Sequence, residues 1–473
     1  MLISAGFMWG FTVDDALISV RYARNLADGG LYRFDPSVAN TDGVTPLPWP
    51  FLLALFARHS DALDVLVRAK AMGLVFGTLT GARVGWALSG TAAPRWGKWL
   101  ATVALAVCLP LAAHTVSGME TALVTLLATL AATEPGARWR AAFAGLSAAF
   151  RPELLPWALA LVAFSGPGQG TLAERWRREG IVRAAVLFGI TMGPFIACVG
   201  LRMWAFGHPV PLAVAAKPSD ASHGLAYAGA AFVVAVGPLA AFVPLAAARR
   251  AVRDGGLGPA VVLAAGMHAV SVVFVGGDWM PYARLVVPIA PGLLFAACDV
   301  ETRASSLGAR LVSSVAVGVV VFFGAGLRGR DVMRDRTALV VRARPELASA
   351  KVVAALDIGW VSAATSARIV DLAGLTDPEI AALRGGHTSK AIAPRVLLDR
   401  EVDVLLVYAS KGGELALAGH PEQALGLRAV EMRLLSSEIV QRRFRVTAFL
   451  PLGTQGAGYL VVRRVPEVLE TTP

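Results

Sequence analysis

The sequence predicts a polytopic α-helical membrane protein of about 9–11 membrane segments, with a small C-terminal α/β domain outside the membrane. Three observations carry that expectation. Hydrophobic residues make up 56% of the 473-residue chain and charged residues only 16%, where soluble proteins run at about 45–50% and about 25%. Apolar stretches long enough to cross a bilayer recur along the first two thirds, and basic residues gather in the connections between them. From about residue 330 the chain becomes less apolar and alternates short strand and helix patterns.

The first segment is short. Thirteen residues up to Val13 reach only about 20 Å at 1.5 Å per residue, and "MLISAGFMWG" lacks the basic start of a signal peptide. The expectation is a first transmembrane helix missing its beginning. Apolar stretches follow at 63–89, 97–114, 118–133, 183–206, 223–248, 257–276, 281–298 and 308–328. The stretch 141–165 is interrupted by "RPE" at Arg151–Glu153. Each half is then too short to cross, so a re-entrant or hairpin arrangement is expected, lining a cavity or covered by protein. In the tail, "AKVVAALD", "VDVLLVYA", "RVTAFLPL" and "GYLVVRRV" read as strands, and "EIAALR" and "PEQALGLRAVEMRLLSSEIVQRRF" as helices. The domain boundary falls at 329/330, and no fixed-period repeat is present.

The net charge of +11 comes mostly from arginine. In a membrane protein such an excess first reports topology. Nucleic-acid binding would require a basic, aromatic-bearing patch on a polar domain, and none is seen. The basic connections at 94–98, 136–140, 174–183, 248–253 and 301–310 can all be cytoplasmic if 141–165 enters and returns on one side. The segments 14–62, 114–120, 205–222, 275–284 and everything after about 330 then share the extracytoplasmic face. Every polar cluster with chemical potential falls on that face. Cys108, Cys198 and Cys298 lie in apolar runs and read as buried small hydrophobes.

Asp14 and Asp15 head "DDALISVRYARNL", with Arg21 nearly two helical turns further on. One reading is an interfacial helix with acids at its N-terminus. The other is a general base at the membrane surface, its proton affinity raised by partial burial and by the second carboxylate. Lys217 and Arg284 stand where helices meet the outer face, either snorkelling to headgroups or receiving the charge of a phosphate leaving group. Asp278 in "GGDWMP" is a turn residue or a ligand contact. Arg151 and Glu153, ionisable inside an apolar segment, are functional or paired with each other. Glu120 reads as a helix cap, and His114 and His208 as packing or hydrogen-bonding residues. No metal-ligand spacing occurs, so no cofactor is called for and a divalent metal is not indicated.

Taken in chain order, "DDALISVRYARNLADGGLYRFDP", "TPLPW", "SGMET", "RPELL", "FGHPVPLAVAAK", "GGDWMPYARLVVP" and "IVDLAGLTDPEIA" resemble the polyprenyl-phosphate-sugar-dependent glycosyltransferases of the GT-C superfamily. Among these it resembles the terminal β-(1→2)-arabinofuranosyltransferase group of actinobacterial cell walls. The resemblance runs from about Phe11 to about Val407. It implies a bacterial plasma-membrane enzyme that moves a sugar, arabinofuranose-like or mannose-like, from a polyprenyl-phosphate donor to an envelope glycan or glycolipid. Transfer would be inverting, on the extracytoplasmic side. By the family pattern Asp14 is the base and Asp15 its partner. Arg21, Lys217, Asp278 and Arg284 contact donor phosphate and sugar, and Glu120, Arg151, Glu153 and His208 support them. In the first loop, Asp35-Pro36 and Asp42-Gly43 replace the family's usual Asn-Pro and Glu-Gly, which points to a shifted sugar or acceptor preference. Two other classes share the charges and broken helices. One is a lipid-linked-sugar flippase, distinguished by sidedness of the lipid in vesicles. The other is a non-catalytic glycolipid-binding assembly protein, distinguished by absence of turnover.

Overall fold

The computed structural model describes residues 2–36, 40–166, 180–217, 219–238, 245–420 and 424–465. Residues 174–179 of one expected basic connection, 239–244 of the expected 223–248 segment, Pro218 and 421–423 lie outside the described residues.

The chain begins with α1 (Leu2–Phe7), α2 (Asp14–Ala27), α3 (Pro48–Ala54) and the long α4 (Ala62–Ser89), whose N-terminus is capped by the Asp61 side chain on Leu63 N–H. Next come α5 (Arg95–Ala106), α6 (Leu109–Thr115), α7 (Thr121–Thr133), α8 (Ala137–Phe150) and α9 (Leu155–Phe164). Then follow α10 (Ile181–Phe206), α11 (Leu212–Ala215), α12 (Ala221–Val236), α13 (Leu245–Arg253), α14 (Leu257–Val275), α15 (Ala290–Val300) and α16 (Ala304–Gly329). Among the described residues three helical runs are long and apolar enough to cross a membrane: α10, α14 and Ala304–Leu347, which starts as α16. Ile196, Met203 and Trp204 on α10 are exposed, as an apolar face turned to lipid would be.

Three expected spans are corrected. The stretch 97–114 is two helices, α5 and α6, meeting at 54°, with Pro110 in the first turn of α6. The stretch 118–133 is helical only from Thr121, because Gly118 takes φ +85° in the preceding turn. The stretch 281–298 is not one helix either. Tyr282 and Ala283 sit at positive φ, a 3₁₀ turn spans Val287–Ile289, and α15 starts at Ala290. Pro281, Pro288 and Pro291 remove three backbone donors that a continuous helix would use. The break at "RPE" is present as expected. Pro152 restricts Arg151 to an extended conformation (φ −134°, ψ 93°), and α8 and α9 pack on each other across it.

After α16, helix α17 (Val332–Leu347) leads into a five-stranded sheet: β1 (Val352–Ala355), β2 (Arg368–Asp371), β3 (Val404–Ala409), β4 (Phe444–Pro451) and β5 (Gly458–Arg464). The order is β2-β1-β3-β5-β4, parallel across β2-β1-β3 and antiparallel in the β4-β5 hairpin. The sequence reading missed β2, and its long helix around 421–444 is instead two short ones, α22 (Ala429–Leu435) and α23 (Glu438–Arg443). Between β1 and α22 in chain order lie α18 (Ile358–Ala364), α19 (Pro378–Ala381), α20 (Val396–Asp399) and α21 (Gly413–Leu417). The domain is not set apart from the rest. One buried apolar cluster runs from Leu17 and Ile18 of α2 through Ile358 and Trp360 of α18 into the strands. Cys108 and Cys298 are buried, Cys198 is half-buried, and all three are free.

Candidate functional site

Six charged residues singled out in the sequence line one cavity of about 150 Å³: Asp15, Arg151, Glu153, Lys217, Asp278 and Arg284. They come from four separated parts of the chain. Asp15 sits in the first turn of α2, and Arg151 and Glu153 in the extended break between α8 and α9. Lys217 follows α11. Asp278 follows a double-glycine reversal, with Gly276 at φ +88° closing α14 and Gly277 at φ +73°. A side chain at Gly277 would press on the Tyr227 ring, so the close approach there needs glycine. The wall is completed by Gly43–Pro46 of the first loop and by Leu375 of the sheet domain.

Most of these charges are already matched. Arg284 Nε donates to Asp278 Oδ2 at 2.6 Å. Burial opposes ionisation of both, and the pairing outweighs it. Asp278 is held below the usual carboxylate range by Arg284, Lys217 and Arg151, and Arg284 is held above its ordinary value by Asp278 and Asp15. Arg151 faces Glu153 at 2.7 Å and Glu120, itself fully buried, at 3.1 Å. Its Nη2 and one Glu120 oxygen have no hydrogen-bond partner among the described residues. Two groups are left open. Asp15 lies 3.9 Å from Arg284, beyond hydrogen-bond distance. The Lys217 ammonium makes no hydrogen bond or ion pair among the described residues, although its charge acts on Asp278. The cavity therefore presents one loosely held carboxylate and one open ammonium.

Asp14 is not part of that wall. Its carboxylate accepts hydrogen bonds from Gly359 N–H at 2.8 Å and Trp360 N–H at 2.9 Å, capping the first turn of α18, and it pairs with Arg336 of α17. Burial pushes the Asp14 carboxyl up to about 6; Arg336 pulls it down and Asp357 pushes it further up. A Cβ at Gly359 would lie 2.1 Å from the Asp14 carbonyl oxygen, so glycine is what allows this contact. Arg21 does not line the cavity either. It donates to the carbonyls of Phe34 (3.2 Å) and Thr365 (3.3 Å), joining the first loop to the sheet domain. His208 bonds Val210 O at 2.6 Å and lines a second cleft with Arg384 and Lys390. His114 is buried, with Nε2 on Pro281 O.

Several residues that shape the cavity were passed over in the sequence. Arg202, inside the apolar helix α10, pairs with buried Asp42 at 2.5 Å and donates to Thr45 O at 2.6 Å, which holds the Gly43–Pro46 wall. An arginine inside an apolar segment is the signal that could have found it. Tyr22 Oη reaches Thr41 O at 2.9 Å and accepts from Gly43 N–H at 3.0 Å, fixing the same loop. His268 bonds the carbonyls of Glu153 (3.2 Å) and Leu285 (2.8 Å), tying the "RPE" break to the Arg284 segment. Among the described residues no three His, Cys, Asp or Glu side chains gather as metal ligands would.

A family described as a domain of unknown function (DUF8728) matches residues 327–461, which span the end of α16, α17 and the sheet domain. No curated protein and no solved structure matches the chain.

Proposed function

We propose that the chain is a GT-C-like membrane glycosyltransferase that transfers a sugar from a polyprenyl-phosphate donor to an envelope glycan or glycolipid, with inversion, at the cavity between α2, the "RPE" break and the 276–284 segment. The observation that supports this reading is the pairing pattern: one loosely held carboxylate and one open ammonium in a cavity whose other charged side chains are in close ion pairs. A displacement at an anomeric carbon needs those two groups. Asp15 takes the proton of the acceptor hydroxyl as its oxygen bonds to the anomeric carbon. The bond from that carbon to phosphate breaks, and polyprenyl phosphate leaves with the electron pair toward Lys217 and Arg284. Asp278 and Glu153 hold the two arginines in place. The base is Asp15 and not Asp14, because the lone pairs of Asp14 are already engaged by Gly359, Trp360 and Arg336. The raised proton affinity of Asp14 would suit a base, but reach comes before pKa.

In this reading the long apolar helices, the bent α5–α6 pair, α4 and the shorter apolar helices together form about 9–11 membrane segments of a bacterial plasma-membrane protein. The cavity and the sheet domain face the extracytoplasmic side. The test follows release of free polyprenyl phosphate from radiolabelled polyprenyl-phosphate arabinofuranose and mannose by the purified protein, and by Asp15→Asn and Asp14→Asn. Release by the wild type and Asp14→Asn, lost in Asp15→Asn, is the expected result. No release from any donor, with labelled lipid crossing vesicle membranes instead, would make the protein a flippase.

A further inference from the structure

At the mouth of the cavity stands Trp279, next in sequence to Asp278 and lining the same wall, yet 71% exposed. Its ring is not loose. His223 stacks on it at 4.4 Å between centroids with the planes only 12° apart. The His223 ring is in turn fixed by a 2.7 Å hydrogen bond between Nδ1 and Gly276 O. On another side His387, carried by the sheet domain, stands 6.2 Å away at 54°. His387 lies in the electrostatic field of both Lys217 and Asp15, so this aromatic corner borders the two open groups of the cavity.

A tryptophan anchored in a lipid interface needs no such backing. Trp99 and Trp204 are as exposed (72% and 84%) and have no ring partner among the described residues. Trp279 differs from them in two ways: one ring face is covered by a locked imidazole, and the residue opens on a charged cavity. An oriented indole with one free face suits a partner that has a flat array of C–H groups edged by hydroxyls, which is the form of a sugar ring. The polarised C–H bonds meet the negative face of the π system, while the hydroxyls reach the polar groups beyond.

We propose that the free face of Trp279, backed by His223 and flanked by His387, is the platform on which a sugar ring of the acceptor stacks before it meets Asp15. This rests on the glycosyltransferase reading and adds to it an acceptor subsite at the junction of the helical part and the sheet domain.

The experiment measures binding to the full chain in detergent of two probes, an arabinofuranosyl and a mannosyl tetrasaccharide, without lipid donor. Wild type is compared with Trp279→Ala, Trp279→Phe and Trp99→Ala, and thermal midpoints are recorded alongside. At least one tetrasaccharide should bind. Its Kd should rise about tenfold in Trp279→Ala, recover in large part in Trp279→Phe, and stay unchanged in Trp99→Ala. In turnover, Trp279→Ala should raise the acceptor KM and leave kcat near wild type. Binding of neither tetrasaccharide, equal binding in Trp279→Ala, or a loss that tracks a fallen thermal midpoint and is not restored by Trp279→Phe would each overturn the platform. Failure of the underlying reading looks different: polyprenyl phosphate is never released, while saccharide binding still responds to Trp279.

Discussion

Asp14 and Asp15 are neighbours in the chain and end in opposite surroundings. Asp14 faces the sheet domain, where two backbone N–H groups and Arg336 take up its oxygens. Asp15 faces the cavity, where Arg284 stays 3.9 Å away. A helix turns about 100° per residue, so adjacent side chains cannot share a face. Doubling the acid at the start of α2 thus supplies two regions at once: one carboxylate to dock a domain, one to stand in the charged cavity. The same contrast holds for the cations. Arg336 is paired with Asp14, and Arg428 with Asp357 and Glu431. Lys217 belongs to no network among the described residues. A group whose partners are complete holds structure together. A group left open inside a lined cavity is available to a ligand.

The largest test of that contrast is the pair of isosteric substitutions. With Asp15 as the proposed general base, Asp15→Asn should lower turnover by about 10²–10⁴-fold, the range for losing such a group. Asp14→Asn should retain most of it. A reversed pattern in steady-state release would exchange the roles of the two regions. Next in size is Lys217→Ala. On the proposed reading, removing the open ammonium withdraws a charge from the leaving phosphate and should cost about 10²–10³-fold in kcat, without moving the thermal midpoint, since the ammonium is bonded to no other side chain among the described residues. A drop in the midpoint as large as that of a domain-docking variant would show that Lys217 belongs to the structural region after all.

The contrast was only half legible in the sequence. Composition and hydropathy made the helical character and the exposed apolar faces readable, and "RPE" announced its own break because proline and paired charges are costly in an apolar run. The charged residues of the cavity were readable for the same reason: Lys217, Asp278 and Arg284 stand at the ends of apolar runs. Which of two adjacent acids points inward was not readable, because it depends on where α18 lies, more than three hundred residues later. Short elements were lost too. The four residues "RIVD" of β2 carry too little pattern to be distinguished from a loop. Lys70 reads as a charge in a helix, yet its ammonium is buried and donates to Phe11 O at 2.6 Å and Val116 O at 2.7 Å. Only the tertiary placement of two distant turns explains it.

Two smaller predictions act on the docking side. Gly359→Ala places a Cβ against the Asp14 carbonyl oxygen, a backbone atom that cannot swing away. The cost should be about 1–3 kcal/mol in stability, seen as a lower unfolding midpoint, and turnover should fall only as far as the sheet domain loosens Leu375 from the cavity. An unchanged midpoint would mean that α18 is not held by α2. The last prediction concerns pH. The folded Asp14 carboxyl, pushed up to about 6, binds its proton more tightly than in the unfolded chain, where the ordinary value of 3.8 applies. Between these two values the folded state holds more protons, so this group makes stability fall as pH rises from about 4 to 6, and it contributes no slope above that. Asp371, likewise pushed up to about 6 by burial, adds a slope of the same sign. Asp14→Ala should therefore be destabilised at pH 7 by loss of its hydrogen bonds, and its midpoint should depend less on pH between 4 and 6 than that of the wild type. If the two midpoints run parallel across that window, the Asp14 carboxyl is not buried against the sheet domain, and the division of labour between the two acids loses its physical basis.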